Sequence, residues 1–119
     1  MKSRGDHYEE QAASWLRDQG LTIIERNYRC RVGELDIIAR DAAYLVFIEV
    51  RARSHPGFAS AAESIDRRKR RRLVNTAQYY LQQHPQLAQL ACRFDVVTFQ
   101  PRQSATRHAP QWIRGAFIN

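Results

Sequence analysis

Residues 33–53 read Gly33-Glu34-Leu35-Asp36-Ile37-Ile38-Ala39-Arg40, then Asp41-Ala42-Ala43, then Tyr44-Leu45-Val46-Phe47-Ile48-Glu49-Val50-Arg51-Ala52-Arg53. Two arms rich in β-branched and aromatic residues flank a short polar turn, which is the pattern of a β-hairpin. Each arm carries one carboxylate among apolar neighbours, Asp36 in the first and Glu49 in the second. Side chains alternate faces along a strand. Asp36 therefore shares a face with Glu34, Ile38 and Arg40, and Leu35, Ile37 and Ala39 take the other. In the second arm Leu45, Phe47, Glu49, Arg51 and Arg53 oppose Val46, Ile48, Val50 and Ala52.

A two-residue loop at Ala42 and Ala43 pairs Asp41 with Tyr44 and sets Asp36 opposite Glu49. Ala-Ala lacks the Asn-Gly or Asp-Gly signal of a tight turn, so the register is an assumption. Directly opposed side chains have Cβ atoms about 4.5–5.5 Å apart. Two carboxylates at that distance repel, and a divalent cation would offset the cost. Mg²⁺ is typically held by one or two carboxylates together with phosphate oxygens and water.

The chain of 119 residues is long enough for one real core and reads as one domain spanning 1–119. A hydrophobic fraction of 44% and a charged fraction of 26% are ordinary for a globular protein. A net charge of +7 and a pI near 10.1 are not. They point to a polyanionic partner, nucleic acid or an acidic membrane surface. Cys30 and Cys92 are far apart, with no further cysteine or histidine at zinc-ligand spacing, and read as reduced thiols. The first residues are charged and unlike a signal peptide, and no apolar run approaches a membrane span. The expectation is a cytoplasmic protein without a membrane partner.

Residues 6–19 form a first helix, with Asp6 as N-cap and Glu9 completing a capping box. Tyr8, Ala12, Trp15 and Leu16 make its apolar stripe, and Gly20 stops it. Glu9 lies at the edge of the stripe and Glu10 points away, so Glu9 is the glutamate able to reach a site on the sheet. The alternative is that Glu9 only caps its helix. Residues 21–30 read as a strand, and the hairpin follows. Residues 54–64 begin as a loop. A second helix spans 66–84, capped by Asp66 or, with an earlier start, by Ser60 with Glu63; Pro85 ends it. Its stripe is Leu73, Ala77, Tyr80 and Leu81. Residues 86–91 extend the helical region, 93–100 form a strand, 101–110 a polar loop, and 111–118 a short edge strand. The order is α-β-β-β-α-β with a final short β, an α/β sheet domain containing an antiparallel hairpin.

Arg67, Arg68, Lys69, Arg70, Arg71 and Arg72 run consecutively through the first turns of the second helix. They oppose the helix macrodipole. Free N–H groups beside many cations make a phosphate site. The plainer reading is a solvated face, which suits Arg68, Arg71 and Arg72, directed away from the stripe. Lys69 and Arg70 flank the stripe and either lie along the core edge or reach the sheet.

A helix glutamate, a strand aspartate and a Glu-x-cation on the next strand can build a metal-dependent phosphodiesterase. The carboxylates hold Mg²⁺ or Mn²⁺, which activates water, and a nearby cation stabilises the developing charge. The same acids also suit a solvated edge paired with Arg40, Arg51 and Arg53.

The chain resembles the YraN-like family of bacterial proteins. The resemblance rests on Gly5, Glu9 and Ala12, on Arg26-Asn27-Tyr28, on Gly33-Glu34-Leu35-Asp36-Ile37-Ile38 and on Phe47-Ile48-Glu49-Val50-Arg51-Ala52-Arg53. It continues through Lys69, Arg93-Phe94-Asp95-Val96-Val97 and Ala116-Phe117, and so covers nearly the whole chain. It implies a restriction-endonuclease-like three-layer core, a mixed β-sheet with an antiparallel hairpin flanked by two main helices. The implied site is of the PD-(D/E)xK type, similar to that of archaeal Holliday-junction resolvases. Carried over by position, Glu9, Asp36 and Glu49 become metal-binding acids for Mg²⁺ or Mn²⁺.

Arg51 stands where the family usually has the catalytic lysine. Arginine binds phosphate but cannot act as a base. Three readings stay open: Arg51 acts by charge alone, Lys69 supplies the lysine, or the site binds without cutting. The expected function is a metal-dependent endonuclease on branched or damaged DNA, with Asp36, Glu49, Arg51 and Lys69 as its catalytic set. Arg53 and the run of Arg67, Arg68, Lys69, Arg70, Arg71 and Arg72 are expected to bind nucleic acid. The alternative is a non-catalytic nucleic-acid-binding module. Fold analogy with dimeric resolvases adds a homodimer as an arrangement to test.

Overall fold

The computed structural model describes residues 4–52, 65–99 and 110–117. The elements in order are α1 (Arg4–Asp18), β1 (Thr22–Cys30), β2 (Gly33–Asp41), β3 (Tyr44–Ala52), α2 (Arg67–Gln83), β4 (Ala91–Phe99) and β5 (Gln111–Ile113). The strands form one sheet in the order β1-β2-β3-β4-β5. Every neighbouring pair is antiparallel except β3 and β4, which run parallel and are joined through α2. The α/β class and the hairpin read from sequence are both present.

The hairpin register is the expected one, with Asp41 opposite Tyr44 and Ile37 opposite Ile48. Ala42 reaches a left-handed φ of 55° to make the turn, a conformation usually left to glycine or asparagine. Alternation then assigns a core to each face of the sheet. Leu45 and Phe47 join Leu73, Val74, Ala77 and Tyr80 of α2. Val46 and Ile48 join Ala12, Ala13 and Leu16 of α1. The helices therefore lie on opposite faces. Leu35 departs from the expected phase and packs with Ile38 in the α2 core. The ladder explains the departure: Asn27, between the pairs Arg26–Ile37 and Tyr28–Leu35, has a left-handed φ of 56° and breaks the pleat.

Helix α1 begins at Arg4, so Asp6 lies inside it rather than at its cap, and Glu9 turns inward instead of closing a capping box. Its end is as expected. Gly20 takes φ 101°, its N–H donates to Arg17 O, and Leu21 N–H donates to Leu16 O, the paired bonds of a Schellman motif. Asp66 caps α2, its carboxylate accepting from Lys69 N at 2.8 Å. The earlier cap at Ser60 and Glu63, like Arg53, falls outside the described residues. Residues 84–90 form turns rather than helix, because Pro85 cannot continue the backbone ladder. β5 ends at Ile113, earlier than expected; the chain turns at Arg114 and Gly115 and returns Phe117 to the core against Phe94. Among the described residues no helix is long and apolar enough to cross a membrane.

Candidate metal and phosphate site

The site lies where β2 and β3 part. Their ladder runs from Asp41–Tyr44 to Ile37–Ile48. Beyond it, residues 33–35 stay paired with β1 and residues 49–52 stay paired with β4. Asp36 and Glu49 occupy the next register step, at the fork itself. The backbone N–H of Val50 donates to Asp36 Oδ2 at 2.9 Å. The carboxylate takes the place of a cross-strand carbonyl and fixes its own position in doing so.

The Glu49 side chain is only 11% exposed. It lies in phase with Leu45 and Phe47 and so faces α2. It shares a hydrogen bond with Asp36. Burial pushes its pKa up to about 9, the bond and the charge of Asp36 push the same way, and Lys69 and Arg51 pull against them. Loss of water disfavours the carboxylate, and a neighbouring acid disfavours a second negative charge; both effects hold the Glu49 carboxyl toward its neutral form.

Lys69 Nζ lies 3.9 Å from Glu49 Oε1, with the lysine side chain 39% exposed. The Asp66 cap fixes the phase of α2, and Lys69 stands one turn before the buried Leu73. Side chains four apart share a helix face. Lys69 therefore reaches the sheet, the second of the two courses open to it from sequence. Arg70 takes the other course: its Nε donates to Ile65 O at 2.9 Å and its guanidinium sits 5.5 Å from the Phe117 ring centre. Arg67, Arg68, Arg71 and Arg72 are exposed. Arg51 follows Glu49 on its strand face, and its Nε is buried without a hydrogen-bond partner among the described residues.

Glu9 is 5% exposed and sits on the α1 side, 3.9 Å from Arg26 Nε. It does not close a three-carboxylate cluster with the fork acids. Among the described residues no group of three or more His, Cys, Asp or Glu side chains converges as a metal cage. The fork pair by itself nonetheless suits a hard divalent cation: its two carboxylates are adjacent, Glu49 largely withdrawn from water and Asp36 half-buried, and a cation offsets their mutual repulsion.

Sequence reasoning did not single out Asp95, which is 1% exposed and the most heavily bonded acid of the sheet. Its oxygens accept from Arg93 Nε at 2.9 Å and Nη2 at 3.0 Å, from Trp112 Nε1 at 2.9 Å and from Gly115 N at 2.9 Å. Arg93 also donates to Asp41 Oδ2 at 2.9 Å. With every donor direction filled, Asp95 anchors β5 and the C-terminal turn rather than serving the fork. Its partners come from distant parts of the chain, which spacing along 93–100 does not reveal.

The family model of the uncharacterised protein family UPF0102 matches residues 8–99. A UPF0102 protein of Alcanivorax borkumensis is 47% identical over 99% of this chain and 94% of its own length. One from Alkalilimnicola ehrlichii is 46% identical over 95% of the chain and 85% of its own, and one from Pseudomonas putida 47% over 95% and 91%.

Proposed function

The chain belongs to the uncharacterised protein family UPF0102, the YraN-like proteins, and on that footing we propose that it is a divalent-metal-dependent DNA endonuclease with a restriction-endonuclease-like core, acting on branched or damaged structures. One observation carries the reading. Two carboxylates meet at a strand fork, Asp36 held by the Val50 N–H at 2.9 Å and Glu49 only 11% exposed, with the Lys69 ammonium 3.9 Å from Glu49. A purely structural pair of acids gains nothing from this arrangement, since each raises the cost of ionising the other. A phosphodiesterase needs an acid pair beside a cation.

Asp36 and Glu49 are the residues to hold the cation, with Glu9 as a third acid once released from Arg26. Bound Mg²⁺ or Mn²⁺ supplies Lewis acidity toward a phosphate oxygen and lowers the pKa of a coordinated water. The protein's own groups do the rest. The Val50 N–H holds the Asp36 carboxylate in place. The Lys69 ammonium offsets the negative charge gathered when a phosphate approaches the acids and stabilises the excess charge of the transition state. Arg51, which cannot give up its proton, contributes charge alone. Lys69 thus fills the role that the family motif gives to the lysine two places after the glutamate.

The test is cleavage of linear, single-stranded, flapped and four-way DNA with Mg²⁺ or Mn²⁺. Activity on at least one form, abolished by Asp36→Asn, Glu49→Gln and Lys69→Met and retained in Arg51→Lys, is the expected result. Metal-independent binding without cleavage of any form would overturn it in favour of a non-catalytic binding module. The exposed Arg67, Arg68, Arg71 and Arg72, which need no acid to attract phosphate, favour that second reading.

A further inference from the structure

A groove of about 340 Å³ opens between β1, the start of β2 and the first turns of α2. Arg29 lines it from the strand side, and Lys69 and Arg72 from the helix side. Glu34, the one acid among its described lining residues, is already engaged, with Oε2 3.2 Å from Arg29 Nε. Gly33 forms part of the floor, and the packing demands a glycine there. A Cβ on residue 33 would come within 2.6 Å of Thr76 Oγ1 and 3.2 Å of Arg72 Cγ. The missing side chain lets α2 lie close on β2 and carries the Arg72 stem across the floor.

The groove adjoins the fork. Lys69 lines it while approaching Glu49, and Leu73 forms a wall both here and in the small cavity bordered by Asp36 and Glu49. Among the described residues no aromatic side chain lines it, and the described lining offers no platform for base stacking. What it offers is cations from two elements lining one concave surface.

Resting on the nucleic-acid reading above, we propose that this groove seats the sugar–phosphate backbone of one polynucleotide strand next to the phosphodiester at the fork, with Arg29 and Arg72 holding the flanking phosphate and Lys69 shared between the two positions. Recognition there is of backbone and not of base. Strand binding through the groove requires no metal and survives loss of cleavage.

The test is anisotropy of a labelled short oligothymidylate and of the matching oligouridylate, with the full chain in EDTA across a salt series. Arg72→Glu and Arg29→Glu should each weaken binding by about tenfold and flatten the salt dependence. Arg17→Glu makes the same charge change at an exposed position of α1, outside the groove, and should stay within about threefold, as should Arg72→Lys. Binding of one oligonucleotide and not the other identifies the sugar that the groove carries. Should Arg72→Glu fail to fold, the exposed Arg29 carries the same comparison. Equal losses for Arg17→Glu and both groove reversals would replace the groove with a diffuse basic field and overturn the proposal. So would an oligoadenylate affinity differing from oligothymidylate by more than about tenfold, since backbone contacts carry no sequence information. Cleavage is read separately. A chain that binds through the groove and cuts nothing refutes the nuclease and keeps the groove; a chain that cuts without dependence on Arg29 and Arg72 does the reverse.

Discussion

At Glu49 the folded protein holds a proton that the unfolded chain gives up. The folded pKa is about 9 against an ordinary 4.5, so the native state binds more protons than the unfolded state between those values. Stability from this group is complete below the lower value and falls as pH rises toward the upper one. Glu49→Gln, which mimics the protonated acid, should therefore melt close to the parent at pH near 4.5 and above it at pH near 9, measured by thermal unfolding in EDTA. Divalent cations should raise the melting temperature of the parent at the alkaline end and not that of the variant, because binding only the native state stabilises it. Glu9 tests the rest of the donor set. Glu9→Gln should lower Mn²⁺ affinity by about tenfold, as loss of a charged ligand or its close support does. An unchanged affinity would confine Glu9 to its contact with Arg26.

At the scale of the element, two backbone positions hold conformations that their neighbours impose. Gly20 ends α1 at φ 101°. Gly20→Ala should destabilise by about 1–2 kcal/mol, the cost of left-handed backbone for a residue with a Cβ. Ala42 already bears such a cost at φ 55° in the hairpin turn. Ala42→Gly should be stabilising by up to about 1 kcal/mol, since the strain relieved outweighs the freedom added to the unfolded chain. Urea unfolding of both variants reads the opposite signs. The apolar stripes, the Gly20 stop and the Asp66 cap were legible because each is a local pattern within one turn. The start of α1 was not. A good capping residue at Asp6 does not prevent the helix from running back to Arg4, and Glu9 is drawn inward by Arg26 of another element.

Across the whole molecule, Asp95 joins what the chain order separates. It binds Arg93 on its own strand, Trp112 on β5 and Gly115 beyond it, and Arg93 extends the tie to Asp41 at the end of the hairpin. Asp95→Ala should cost about 3 kcal/mol or more, because it leaves the half-buried Arg93 guanidinium to Asp41 alone of its two carboxylate partners, at 2.9 Å, and the Trp112 and Gly115 N–H groups without their acceptor. A loss below about 1 kcal/mol by denaturant unfolding would show that water replaces the carboxylate. The motif Arg93-Phe94-Asp95 looks as chemical in sequence as the fork acids do; only its four donors mark it as structural.

The sequence by itself determined most of the elements and, once a two-residue turn is assumed, the hairpin register from Asp41–Tyr44 to Ile37–Ile48, because side-chain period and turn length act over a few residues. It also determined the phase of α2, and with it that Lys69 and Arg70 flank the core while Arg68, Arg71 and Arg72 stay in solvent. Tertiary structure decided what those positions mean. The fork exists because β2 keeps its partner β1 while β3 keeps β4, a competition between ladders that no single strand encodes. Burial then pushed the Glu49 carboxyl toward its neutral form beside Asp36, since desolvation depends on everything packed around the site. The same packing of α2 on Gly33 brought Lys69 to Glu49 and shaped the groove beside it, a juxtaposition of three elements that follows from close contact in space and not from spacing along the chain.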